Sequence, residues 1–419
     1  MSYRKPLCLR YLANVVKLLF VKNQILFPLN IGGNIRTYNI LRYLAKWHKL
    51  TYLCNDISSD ADDIDKMRQM GMRVEMIPWR NPTPAQWQFY RDLAWNTLST
   101  LPFNVAKVTN PKLISRANEL LAKESYAAVI CDFVQMAKVV SDLQRGPSIL
   151  FQHNVEAQVF ERQAKTSPTW LRRQAMALQW RKMLRFEKEA GRQFTAVIAV
   201  SDQDRETFKR DYGWEHVEGI DTAVDVEFFS PPRQADERHH LVTFVASMDW
   251  LPNQDGAVYF VKEIWPHIQR EHSDSIFQIV GRNPSRRVER LAQVGGVSVL
   301  GTVPDVRPYL SDAQVVVVPL LSGGGTRIKI FEAMAMGKAV VSTSLGAEGL
   351  KVKDQQHLLI ADTPRDFAKA VTRLLSDPQE RLRIGQEARR LVCQNFSAEA
   401  VARQFERICL KVTQTSAVT

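Results

Sequence analysis

From Gln24 onward the chain alternates short, almost wholly apolar runs with longer stretches in which apolar residues recur at helical spacing. In the first half the runs are ILFPL (25–29), LTYLC (50–54), AAVIC (127–131), SILFQ (148–152) and AVIAV (196–200). Runs this apolar, separated by helical patterns, predict parallel strands covered on both faces, because a strand with one wet face would alternate with polar residues. The pattern stops at SPPRQADERHH (230–240), which is charged, proline-rich and without apolar periodicity, the composition of a linker. It resumes with LVTFVAS (241–247), SIFQIVG (275–281), VSVLG (297–301), AQVVVVPLL (313–321), KAVVS (338–342) and HLLIA (357–361). The expected architecture is α/β: two Rossmann-like, doubly wound parallel-sheet domains joined by a linker and facing a cleft. Its expected limits are a basic N-terminal extension (1–23), a first domain (24–230), the linker (231–240), a second domain (241–396) and a C-terminal helix and tail (397–419).

A length of 419 residues suits about two or three domains. The formal net charge of +12 fits a nucleic acid, an anionic membrane or an acidic small substrate, and does not choose among them. Cys8, Cys54, Cys131, Cys393 and Cys409 lie far apart, with no CxxC pair and no metal-ligand spacing, as expected of reduced thiols in a cytoplasmic protein. No apolar run reaches the roughly 18 residues of a membrane-spanning helix. The opening MSYRKPLCLRYLANVVKLLF, broken by Lys17 and followed by Lys22, has no small-residue cleavage site after it. It reads either as a basic amphipathic anchor or as an over-long start ahead of the first strand.

Ligands of open parallel sheets bind beyond the carboxyl ends of the strands. Directly after AQVVVVPLL comes SGGGTRIKIFEAMAMGKAVVS (322–342), a glycine loop leading into a helix whose first turn carries Arg327 and Lys329. Cations there oppose the helix dipole. A bound phosphate reverses that sign, and glycine amides with the helix's unpaired N–H groups form a nest for it. The plainer alternative is a glycine turn with two solvated cations. The loop is no Walker motif, since GxxxxGK[ST] is absent. Glu332, three residues after Lys329, is either its structural partner or a group that accepts from a ligand hydroxyl.

In the first half, ILFPLNIGGNIRTYNILRYLAKWHKLTYLC reads as strand, turn, helix and strand. Gly32 and Gly33 permit close approach of a ligand without completing GxGxxG. Arg36 follows in the first helical turn, as a ligand cation or a solvated one. His153 stands directly after SILFQ, at a strand's carboxyl end, and Glu156 either orients its imidazole or binds an acceptor. The basic helix at 169–194 either lies on an anionic membrane or is a domain helix with a solvated basic face. DISSDADDID (56–65) reads as a solvated polar turn rather than a metal site.

The segment GGGTRIKIFEAMAMGKAVVSTSLGAEGL resembles the donor-binding segment of the family-four glycosyltransferases, which share the GT-B fold. Such proteins carry two glutamates separated by seven residues; Glu332 matches the second, while the first falls at Gly324, as in a branch with GGGTR at this place. The arginine and lysine that many relatives carry after the strand matched by LVTFVAS are absent from MDWLPNQDG, so Arg327 and Lys329 inherit the donor diphosphate. VEGIDTAVDVEFFSPP, with Asp225, resembles the family's approach to the linker, and SAEAVARQFERICLKV (397–412) a helix that returns to the first domain.

The resemblance implies transfer of a hexosyl unit from a nucleotide-sugar to a glycan or lipid-linked acceptor, with retention and with no metal or cofactor. It places Gly323, Gly324, Gly325, Thr326, Gly32 and Gly33 at the donor, and His153, Arg327, Lys329 and Glu332 in the catalytic group. It points to exopolysaccharide or cell-surface glycan assembly by a cytoplasmic protein, with peripheral contact with an anionic membrane and no nucleic-acid partner. The competing readings are a GT-B nucleotide-sugar epimerase and a basic membrane- or nucleic-acid-binding module without catalysis.

Overall fold

The computed structural model describes residues 15–29, 32–57, 60–80, 86–143, 146–166, 169–232, 237–322 and 328–416. These form two compact units, one of residues 15–200, 204–220 and 404–416, the other of residues 201–203 and 221–403.

The first unit is built on a parallel sheet of β1 (Lys17–Lys22), β2 (Lys49–Asp56), β3 (Arg73–Pro78), β4 (Ala128–Asp132), β5 (Ser148–Gln152), β6 (Ala196–Ala199) and β7 (Val217–Gly219). The spatial order is β3-β2-β1-β4-β5-β6-β7. The opening strand is therefore KLLFVK, inside the stretch expected to be an extension, and ILFPL is not a strand. Leu18 to Val21 are buried, and both flanking lysines find acids: Lys17 meets Glu124 at 2.8 Å and Lys22 meets Asp132 at 2.6 Å. In ILFPL, Pro28 has no N–H for a ladder. The strands β3 and β7 escape the apolar-run criterion because they are edges, the one half-buried and the other three residues long.

Helix Pro111–Lys123 lays Leu113, Ala117 and Leu120 on one face of the sheet. On the other, the C-terminal helix Ala398–Ser416 returns to this unit from Gln404 onward. Phe405 stacks on Phe20 of β1 at 6.0 Å and meets Phe151 of β5 edge-on at 5.1 Å. Glu406 binds His48 at 2.9 Å. Burying one such aromatic contributes about 1.5–3 kcal/mol.

The second unit holds β8 (Leu241–Val245), β9 (Ile276–Val280), β10 (Val297–Gly301), β11 (Val315–Val318), β12 (Ala339–Ser342) and β13 (Leu359–Ile360), parallel, in the order β10-β9-β8-β11-β12-β13. Helices Pro364–Ser376 and Pro378–Asn395 pack against it; each begins with proline after a side-chain cap, Thr363 or Asp377. The end of the expected linker is fixed to this unit, because Glu237 accepts from buried Lys338 at 2.9 Å and from Arg381 at 3.1 Å.

After β9 the chain turns at Gly281, where a Cβ would lie 1.6 Å from the carbonyl oxygen of Ala246. A backbone atom cannot yield as a flexible side chain does, so Gly281→Ala should cost about 1–3 kcal/mol or more. Gly295→Ala, in open space, should stay within about 0.5 kcal/mol. Urea unfolding midpoints check the contrast.

Candidate active site

In each sheet the strand order reverses beside the first strand, between β1 and β4 and between β8 and β11. Connections leave such a pair in opposite directions, so a hollow opens beyond its carboxyl ends. The functional side chains of each unit gather there.

In the second unit a cleft of about 790 Å³ is lined by residues following β8, β9 and β10, together with Ile328, Lys329 and Glu332 from the helix Ile328–Ala335. Lys329 Nζ donates to Asn253 Oδ1 at 2.5 Å, and Asn253 Nδ2 in turn donates to the Ser247 carbonyl at 2.7 Å. The ammonium also lies 5.6 Å from the Phe244 ring and 5.8 Å from the Trp250 ring, which favours a cation. The Glu332 carboxylate makes no hydrogen bond or ion pair with a described residue, while its backbone carbonyl accepts within the helix from Met336 at 3.1 Å. Burial pushes its carboxyl up to about 7, and Lys329 only partly offsets this. A carboxylate so placed is a ready acceptor for a ligand hydroxyl. Arg282, after β9, lines the same cleft but already meets Asp249 at 3.2 Å and Ser247 Oγ at 2.8 Å.

In the first unit the hollow is filled by a buried ionic cluster. Asp132, at the end of β4, accepts from Lys22 at the end of β1 (2.6 Å), from Thr37 Oγ1 (2.8 Å) and from His153 Nε2 (2.6 Å). Burial alone would raise the Asp132 carboxyl, but Lys22 and His153 hold it well below the usual carboxylate range. Burial pushes the His153 imidazole down to about 4 against the pull of Asp132, so the ring is neutral at pH 7. With Nε2–H donated to Asp132, Nδ1 is the acceptor and takes a hydrogen bond from Arg36 Nη1 at 3.3 Å. The Arg36 Nε is itself buried without a hydrogen-bond partner among the described residues, and burial lowers the pKa of its guanidinium. Phe133, at a φ of 72°, stacks on His153 with ring centroids 4.0 Å apart.

His153, Lys329 and Glu332 thus stand at the carboxyl ends where the sequence places them. Gly33, the second residue of the helix Gly32–Trp47, lies hard against this cluster: a Cβ there would come within 2.5 Å of the Phe133 ring. Gly32 is exposed, and a Cβ on it would meet nothing within 4 Å, so packing does not require glycine there. Gly323, Gly324, Gly325, Thr326 and Arg327 lie outside the described residues. The carboxylate that orients His153 is Asp132; Glu156 instead hydrogen-bonds to Asn154 and Gln135. The basic helix is a packed domain element over its second half. Its Glu187 is fully buried, accepting from Gln152, Tyr212 and the backbone N–H groups of Glu156 and Ala157. Lys22, Asp132 and Asn253 were not singled out in the sequence. Lys22 and Asp132 share the signal that marks His153, the last or next position of an apolar strand.

Residues 239–377 match the glycosyl transferases group 1 family. An MMP α-(1→4)-mannosyltransferase of Mycolicibacterium hassiacum is 24% identical over 244 residues, 55% of this chain and 58% of that protein. An uncharacterised 44.6 kDa protein in the cps region of Klebsiella pneumoniae is 27% identical over 138 residues, 31% of this chain and 36% of that one. These matches therefore span less than two thirds of either relative. Among solved structures, Anabaena HepE in complex with UDP and glucose superposes with a TM-score of 0.59 at 15% identity, covering 94% of this chain and 98% of its own. The fold, two parallel-sheet Rossmann-like units with a returning C-terminal helix, is the GT-B fold, and the stretch that matches the glycosyl transferases group 1 family lies in its second unit.

An acid whose pKa is raised on folding keeps its proton in the folded chain after the unfolded chain has lost it. Its contribution to stability therefore falls as pH rises, here between 4.5 and about 7. Glu187, also raised to about 7 by burial, acts with the same sign. Glu332→Gln should raise the thermal midpoint over wild type well above pH 7 and leave it unchanged near pH 4.5. Differential scanning calorimetry across that range checks it.

Proposed function

We propose that the chain is a retaining GT-B glycosyltransferase of the family-four branch with GGGTR in place of the first donor-site glutamate. It moves a hexosyl unit from a nucleotide-sugar to a glycan or lipid-linked acceptor, in exopolysaccharide or other cell-surface glycan assembly, without a metal or cofactor. One observation carries the reading: Lys329 and Glu332, whose carboxylate has no hydrogen bond with a described residue, line one cleft beyond β8 and β11, offering a cation to a diphosphate and a carboxylate to a hydroxyl. The glycosyl transferases group 1 domain, the mannosyltransferase relative and the UDP bound by HepE support it.

When the anomeric carbon–oxygen bond breaks, negative charge collects on the departing diphosphate. Lys329, fixed by Asn253, is aimed at that charge in advance, which is where preorganised donors lower a barrier most. Arg327 and the backbone amides of Gly323 to Thr326 complete the diphosphate site in this proposal. Glu332 accepts from a donor hydroxyl, and the approach of that donor favours its ionised form. No protein nucleophile is assigned: the acceptor oxygen bonds to the anomeric carbon on the face the phosphate leaves, and its proton passes to a phosphate oxygen. Burial keeps His153 neutral while Asp132 fixes its tautomer, and in this proposal a sugar hydroxyl takes the place of Arg36 as donor to the Nδ1 acceptor. No described helix is long and apolar enough to cross a membrane, and the proposed setting is the cytoplasm, with peripheral contact at an anionic membrane.

A thermal-shift panel of UDP-, GDP- and ADP-sugars should give a stabilising donor class, since a ligand of the folded state raises its midpoint. With that donor, Lys329→Ala should lower turnover by about 100-fold or more while the circular dichroism spectrum stays unchanged. Near-normal transfer in the variant would overturn the diphosphate assignment, and accumulation of an epimerised donor without any acceptor would make the protein an epimerase.

A further inference from the structure

The helix Trp87–Asn96 of the first unit is apolar on the side that faces water as well as on the side that packs. Its inner face is anchored: Phe89 meets Phe103 edge-on at 5.1 Å, and Asn96 accepts from Gln179 at 3.1 Å and from Lys182 at 2.6 Å. Its outer positions recur at helical spacing and carry Trp87, Tyr90, Trp95 and, one turn beyond, Leu98, exposed by 66%, 59%, 69% and 82%. Arg91 lies on the same stripe, 5.1 Å from the Trp87 ring. Single exposed apolar residues are ordinary, but a stripe of three aromatics and a leucine is not.

Immediately before this helix, at the carboxyl ends of β2 and β3, lies a cavity of about 780 Å³. Arg80 and Lys112 line it, and neither makes an ion pair with a described residue; Trp79, Gln86 and Asp56 also line it. The indole N–H of Trp79 is engaged by the Lys107 carbonyl at 2.8 Å. Two cations without an ion pair to a described residue, and one carboxylate, Asp56, stand at one end of an aromatic stripe, leaving the cavity net positive by one charge among these three groups. That arrangement matches the boundary of a bilayer, where tryptophan and tyrosine rest at headgroup depth and basic side chains meet phosphates.

We propose that this surface docks the protein peripherally on an anionic lipid bilayer: Trp87, Tyr90, Trp95 and Leu98 enter the headgroup layer, and the cavity bearing Arg80 and Lys112 receives a lipid phosphate. A second copy of the chain would cover the apolar stripe equally well but would bring its own positive charge to the cavity. This docking rests on the peripheral membrane contact of the proposed function and uses nothing of the cleft of the second unit, so its failure would leave glycosyl transfer untouched.

The test is co-sedimentation of the full chain with vesicles of phosphatidylcholine alone and of phosphatidylcholine with roughly one third phosphatidylglycerol, at low and high salt. Wild type is expected on the anionic vesicles, with added salt weakening the binding. Arg80→Gln/Lys112→Gln should bind them about 30-fold more weakly and with a shallower salt dependence. Trp87→Ser/Trp95→Ser should lose about tenfold or more at either salt concentration. Both variants change exposed side chains, and an unchanged thermal midpoint confirms that they fold. All three proteins keep residues 1–14, so a loss on the tryptophan variant assigns the contact to this helix. Three results would overturn the proposal: no wild-type binding to anionic vesicles, a tryptophan variant that binds like wild type, or self-association in solution that the tryptophan substitutions abolish.

Discussion

Reversal of strand order in a parallel sheet is the constraint from which the rest of the chemistry follows. A right-handed crossover places its helix on one face when the chain moves one way along the sheet and on the other when it moves the opposite way. Where direction changes, no helix covers the strand ends. The chain meets this condition twice, beside β1 and beside β8, and resolves it in two ways. At the first reversal Lys22, Thr37 and His153 surround Asp132 and satisfy it internally. At the second, Lys329 has Asn253 but Glu332 is left without a partner among the described residues. Partners supplied from within the chain hold Asp132 in one arrangement, whereas the Glu332 carboxylate keeps interaction energy in reserve for a ligand.

That difference explains why the two reversals bear on function unequally. Asp132 is ionised and compensated, so removing one of its partners would disturb folding before chemistry. Glu332 is held near its ionisation threshold at the cost of some stability, a pattern common where burial serves binding rather than packing. In the proposed function its neighbour Lys329 supplies the positive charge for an incoming diphosphate, and its ammonium lies 5.6 Å from the Phe244 ring and 5.8 Å from the Trp250 ring.

Most of this was legible in the amino-acid order. Strands covered on both faces announce themselves as unbroken apolar runs, and the position after a run locates His153; the glycine loop behind AQVVVVPLL locates Lys329 and Glu332. The first strand is missed because pattern reading treats charge as an interruption. Lys22 reads as the end of an apolar stretch, yet it is a strand residue whose ammonium is buried against an aspartate 110 residues away. No local signal contains that partnership. Edge strands are missed for the complementary reason: β3 is only partly covered, so its sequence need not be apolar. Of the two roles open to Glu156, orienting His153 rested on proximity in sequence, and the tertiary structure supplies Asp132 for it instead.

The account turns on Glu332 recognising the sugar while Lys329 recognises the diphosphate. Calorimetric titration of wild type and Glu332→Gln with the free nucleoside diphosphate and with its sugar conjugate separates the two. The expected result is that the variant keeps wild-type affinity for the diphosphate and loses affinity for the conjugate. Equal loss for both ligands, or no loss for either, would contradict it.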